Sequence, residues 1–130
     1  MKPVFKLLKL NELRPHEETI PDYVKKLKAE ILNDGILIKP IIVDVKTKVI
    51  LDGHHRHKIM QELGKDVIPV WLIDYKSDYV HVTAWEKGKN ITKQDVLNAG
   101  LTGKLLKPKT SRHMLRIKRI KKISLDKLLA

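Results

Sequence analysis

The chain of 130 residues contains no cysteine. Disulfides, thiolate metal sites and every cysteine-based nucleophile or redox cycle are thereby excluded. Aromatic residues make up only 5% of the chain, which is thin material for a base-stacking surface. No apolar run approaches the length that crosses a bilayer. The opening Met1-Lys2-Pro3-Val4-Phe5-Lys6 lacks the apolar stretch of a secretory signal, so the cytoplasm is the expected compartment. Internal repeats, low-complexity tracts and Gly/Ser linkers are also missing. The length fits one domain over residues 1–130.

Negative charge is scarce: 27 Lys and Arg face 15 Asp and Glu, a net charge of +12. The excess is concentrated. Residues 104–130 hold ten basic residues and one acidic one, Asp126, while the first 103 are nearly balanced. Such a basic segment points to a polyanion, nucleic acid included. Leu115, Ile117, Ile120, Ile123, Leu125, Leu128 and Leu129 are threaded through its charges. That interleaving argues for a segment docked by one apolar face rather than a disordered tail.

Val4–Leu8 reads as a short strand, and residues 11–19 as a polar loop stiffened at Pro15. Pro21 opens a helix with Val24, Leu27 and Ile31 at helical spacing, ending at Asn33-Asp34-Gly35. Strands at Ile41–Val45 and Val49–Leu51 flank a hairpin connection, Lys46-Thr47-Lys48. After Asp52-Gly53 a helix starts at His54 or His55 and stops at Gly64. A strand over Val67–Tyr75, interrupted by Pro69, is followed by another over Tyr79–Trp85. Thr92 caps a third helix, residues 107–113 read as a second polar loop, and Ser124 is placed to cap a last helical turn. The pattern is α+β, a small mixed sheet flanked by helices.

The most informative stretch is Ile50-Leu51-Asp52-Gly53-His54-His55-Arg56. Gly53 permits a tight turn, and the first amides of the following helix have no internal partner. With the helix dipole they make an anion site, to which Arg56 adds a guanidinium and His54 and His55 add side-chain donors. His54 and His57 stand at i, i+3 but have no second carboxylate at ligand spacing on the helix. Mg²⁺ brought in by a phosphorylated substrate needs only one or two carboxylates, and Asp52 is placed to supply one. Pro15-His16-Glu17-Glu18 is a stiff loop able to present a general base, and equally a run of acids preceding a helix. Pro108-Lys109-Thr110-Ser111-Arg112-His113 gathers two hydroxyls, two cations and an imidazole, as a polar-ligand loop does and as a solvated helix cap does.

Four blocks in this order, Pro15-His16-Glu17, Lys39-Pro40, Asp52 to Arg56 and Pro108 to His113, resemble the ParB/sulfiredoxin-like superfamily. More closely they resemble its archaeal free L-serine kinases, which phosphorylate the serine hydroxyl from a nucleotide, ADP in the nearest group. The resemblance implies a ParB/sulfiredoxin-like domain that takes serine, ADP or ATP, and Mg²⁺. It implies Glu17 as general base and Asp52 as the second essential carboxylate, near the metal. Gly53, His54, His55 and Arg56 would cradle the donor phosphates, with Lys109 adding positive field. Ile38, Lys39 and Pro40 would lie near the adenine. Trp85, Thr110, Ser111, Arg112 and His113 would shape the serine and phosphate pocket. The alternative within the superfamily is a ParB-like module that binds nucleic acid or nucleotide without catalysis, although no helix-turn-helix pattern follows the domain. The sulfiredoxin branch needs a cysteine and is excluded.

Overall fold

Strand β3, Ile41–Asp44, has every residue buried, because its two faces look into two different cores. Alternate residues of a strand point to opposite sides. Ile41 and Val43 enter a core shared with Leu10, Val24, Ile31, Ile59, Met60, Ile68 and Val70. Ile42 enters a second one with Val49, Leu51, Ile73, Tyr75, Val80 and Val96. The structure is a computed structural model that describes residues 2–37, 39–116 and 121–125.

The central sheet also contains β1 (Val4–Lys9), β4 (Ile50–Asp52) and β5 (Val67–Ile73) in the order β1-β5-β3-β4. β5 runs antiparallel to β1 and parallel to β3, and β3 runs antiparallel to β4. Helices α1 (Pro21–Asp34) and α2 (His54–Glu62) pack on each other and supply Val24, Ile31, Ile59 and Met60 to the first core. Helix α3 (Lys93–Thr102) gives Val96 to the second, and Thr92 starts it with a reciprocal capping box to Asp95. Two further pairs complete the fold: β2 (Ile36–Leu37) with β8 (Ile123–Ser124), and β6 (Val80–Ala84) with β7 (Ser111–Leu115). Among the described residues no helix is long and apolar enough to cross a membrane.

Four expectations change. Pro69 does not interrupt its strand, because the pairing of β5 with β3 begins only at Val70 and no ladder partner on that side needs its missing N–H. Ser111, Arg112 and His113 belong to strand β7 rather than to a loop, so their side chains alternate in direction. Ser124 lies in β8, paired with Ile36, instead of capping a helical turn. Among the described residues the strands form one small mixed four-stranded sheet plus two ribbons rather than a single sheet. Of the apolar positions expected to dock the C-terminal segment, Leu125 is buried in the first core and Leu115 and Ile123 are partly buried. Ile117, Ile120, Leu128 and Leu129 lie outside the described residues.

Candidate functional site

The polar loop before α1 is stitched into the body from both sides. Arg14 exchanges backbone hydrogen bonds with Lys48 and Ile50, while His16 and Glu18 bond to both sides of Leu106. This leaves Glu17 fixed between β4 and the start of β7. The residue is 8% exposed, and its side chain is held at both oxygens. The Thr110 amide donates to Oε1 at 3.1 Å, and the Ser111 hydroxyl donates to Oε2 at 2.5 Å. His16 Nε2 stands 3.2 Å from Oε2. Burial works to raise this carboxyl, but the bonds from His16, Ser111 and the Thr110 amide outweigh it, and it lies below its ordinary value. Lys109, just before these donors, has a left-handed backbone (φ 58°), an uncommon conformation for a residue with a side chain.

Across from the loop, β4 ends at Asp52 and α2 begins at His54. Gly53, the residue between, has φ 106°. A Cβ there would meet Ile41 Cγ2 at 2.3 Å, so glycine is required both by conformation and by space. Arg56 is oriented by donating to the Lys39 carbonyl at 2.7 Å, with Nη2 at 3.8 Å from Asp52 Oδ2. The histidines behave differently from the sequence expectation. His54 Nε2 accepts the backbone amides of His16 at 3.0 Å and Glu17 at 3.3 Å. His55 Nε2 accepts that of Ile20 at 3.0 Å. These Nε2 atoms are acceptors that anchor the loop, which leaves the ring hydrogen of each neutral imidazole on Nδ1. Burial lowers both histidines, His54 well below the ordinary value, in keeping with neutral rings. His57 faces the Leu10 carbonyl at 3.3 Å rather than sharing ligands with His54. No cluster of three metal-ligating side chains occurs among the described residues.

A cleft of about 610 Å³ joins these elements. Glu17, Lys39, Asp52, Gly53, His54, His55, Arg56, Trp85, Lys109 and Ser111, all expected in a site, line it. Pro40 is buried beside it and Ile38 is outside the described residues. Thr110 contributes its amide to Glu17 while its hydroxyl turns to the Lys107 carbonyl. Arg112 lies over the ring of the exposed Trp85, 5.0 Å from its centroid, rather than lining the cleft. His113 does not line it either: Nε2 and the buried Tyr75 hydroxyl share a 2.8 Å hydrogen bond. Burial, with His16 next, takes His113 down to about 3. Sequence reasoning overlooked the opposite wall, formed by Tyr23, Leu27, Glu30, Ile31 and Asp34 of α1. Their recurrence at helical spacing was the available signal: one stripe of α1 faces the cleft, its neighbour Val24 enters the core, and Ile31 touches both.

No protein-family model matches the chain. In sequence it is 45% identical over 76 residues to a ParB-like protein of Sulfolobus acidocaldarius, an overlap of 58% of this chain and 38% of the relative. It is 35% identical over 83 residues to an ATP-dependent L-serine kinase of Staphylothermus marinus, covering 61% of this chain and 33% of that enzyme. The matched part thus spans little more than a third of these curated relatives. In structure it superposes on a free serine kinase variant in complex with AMP with a TM-score of 0.86, 16% identity and coverage of 96% and 94% of the two chains. The chain has the free serine kinase fold. Within that fold, the loop carboxylate, the α2 N-terminus and the α1 stripe surround one ligand-sized space.

Proposed function

We propose that the chain phosphorylates free L-serine, moving the terminal phosphoryl group of ADP or ATP to the serine hydroxyl to give O-phospho-L-serine. One observation carries this reading. A carboxylate fixed at both oxygens, Glu17, shares a cleft with a glycine-started helix N-terminus and a second carboxylate, Asp52. An anion-binding module that only senses a nucleotide has no use for a base clamped beside its phosphate site. The sequence similarity to an L-serine kinase and the shared fold support it.

In this mechanism the α2 amides at Gly53 to Arg56 hold the donor phosphates, and Arg56, Lys39 and Lys109 add positive field. The apolar part of the α1 stripe, Leu27 and Ile31 with Ile36, receives the base, and Glu30 and Asp34 face the sugar hydroxyls. Glu17 orients the serine hydroxyl toward the phosphorus and takes its proton as the new P–O bond forms, while the bond to the nucleotide breaks and the nucleotide leaves one phosphate shorter. The transition state is loose, so the work is mostly positioning and charge neutralisation. Asp52, a hard oxygen ligand part-exposed at the phosphate end of the cleft, fits a Mg²⁺ shared with the phosphates. Bound there, the ion would neutralise charge on the phosphoryl oxygens. Trp85, with Arg112 over its ring, borders the mouth where serine enters. Thr110 and Ser111 brace Glu17, and His113 braces Tyr75. Residues 1–130 act as one domain, and the described part of the basic C-terminal segment packs on it through β7, β8 and Leu125.

The test is a product assay. Serine, Mg²⁺ and either ADP or ATP are incubated with the chain and O-phosphoserine is sought by mass. A folded protein that forms none with either donor contradicts the proposal.

A further inference from the structure

His16 is completely buried, and both of its ring nitrogens face acceptors. Nδ1 points at the Ile50 carbonyl of β4, which has only lone pairs to offer, so Nδ1 carries a hydrogen. Nε2 is 2.9 Å from Ser111 Oγ and 3.2 Å from Glu17 Oε2. The single Ser111 hydroxyl hydrogen is directed at Glu17 Oε2, the shorter contact, because an ionised carboxylate only accepts. Nε2 must then bring its own hydrogen to that bond. A ring with hydrogens on both nitrogens is a cation. The other arrangement, a neutral ring beside a protonated Glu17, sets the proton on the intrinsically weaker base.

The surroundings fit one positive charge and no more. The rings near His16 are His54 of α2, 4.5 Å away by centroid, and His113 of β7, at 5.8 Å. His54 is neutral because its Nε2 lone pair is taken by two amides. His113 is neutral through burial. Glu17 is the charged group bonded to His16, with Lys109 and His55 beyond it on the cleft side, and Asp52 follows Ile50 at the end of β4. A buried cation persists only when paired.

We propose that His16 is held as an imidazolium, paired with Glu17, and that this pair rather than Glu17 alone sets the acid limit of the reaction. His16 is a positioning residue: it never touches the substrate but keeps the neighbouring carboxylate ionised and aimed. The inference about the acid limit rests on the reading of Glu17 as the base. The charge state of His16 does not.

Two measurements on the intact chain test it separately. Nitrogen NMR of the histidine rings at pH 7.5 is expected to show one ring, lost in His16→Gln, with both nitrogens protonated. A neutral tautomer at His16 overturns the proposal whether or not the chain is a kinase. In kinetics, His16→Gln keeps a neutral donor but removes the charge. The acid limb of kcat is expected to move up by about one to three pH units, with nucleotide KM unchanged. An unmoved acid limb in an active variant overturns the proposal. A wild-type chain with no serine turnover instead defeats the kinase reading, and the NMR result still decides the ion pair.

Discussion

The His54 ring holds the backbone of Glu17. Its Nε2 accepts the Glu17 amide at 3.3 Å and the neighbouring His16 amide at 3.0 Å, across 37 and 38 residues of sequence. A residue at the start of α2 therefore sets the position of the carboxylate on the facing loop. His54→Ala leaves two amides without that acceptor and lets the loop shift. Displacement of a reacting group by an ångström costs about 10²-fold in rate, so kcat is expected to fall by about that factor while nucleotide KM stays where it was. His54→Gln, which offers a carbonyl oxygen, should recover part of the loss. A raised nucleotide KM with kcat intact would instead make His54 a phosphate ligand.

Glu17→Gln keeps the shape of the side chain and removes the proposed base. General bases contribute about 10²–10⁴-fold, and a loss of that size in kcat is expected, with nucleotide binding by calorimetry retained. Equal turnover in the variant would remove Glu17 from the chemistry.

Gly53→Ala combines an unfavourable backbone conformation with a contact that Ile41 cannot accommodate. Strain and overpacking each cost about 1–3 kcal/mol. The urea midpoint should drop accordingly, and nucleotide affinity with it, since the same turn aims the α2 amides. A variant of unchanged stability and affinity would show that the turn tolerates a side chain.

Gly100→Ala reverses an ordinary rule. In an exposed helix interior, alanine is about 1 kcal/mol better than glycine. Here a Cβ on α3 would lie 2.7 Å from both methyl groups of Val49, so the substitution is expected to destabilise. Gly100→Ala combined with Val49→Ala should regain stability relative to the single variant. A stabilising single substitution would mean that α3 sits farther from Val49 than described.

Acid should weaken the fold before it reaches the carboxylates. His54, His57 and His113 are all lowered by burial, His113 to about 3. The unfolded chain binds protons at these rings below about pH 6.5 while the folded chain does not. Stability is thus fully present above that pH and declines as the pH falls toward 3, by up to about 1.4 kcal/mol per pH unit for each ring. Urea midpoints between pH 8 and pH 4 measure the slope. His113→Phe should flatten it by one ring's share, and a midpoint constant from pH 7 to pH 5 would contradict the assignment of neutral buried histidines.

Local chemistry made much of this legible in the sequence. Pro21 and Thr92 mark helix starts, and Asp52-Gly53 marks the turn into α2, because each is a choice the backbone makes within a few residues. What stayed hidden depends on partners far away. That His54 and His55 accept at Nε2 is decided by the loop amides of residues 16, 17 and 20. The turning of His113 toward Tyr75 follows from the pairing of β7 with β6, which a polar segment after a proline does not announce. The α1 wall was visible as a stripe, but a stripe does not reveal that it faces an open cleft rather than more protein.

The central claim is transfer of a phosphoryl group to serine. Phosphorus NMR of the chain with serine, Mg²⁺ and ADP or ATP follows donor and product together. The account predicts growth of an O-phosphoserine resonance matched by loss of one phosphate from the donor, AMP from ADP or ADP from ATP, and silence in Glu17→Gln. A donor that stays intact, or that yields only inorganic phosphate whether serine is present or absent, would contradict it.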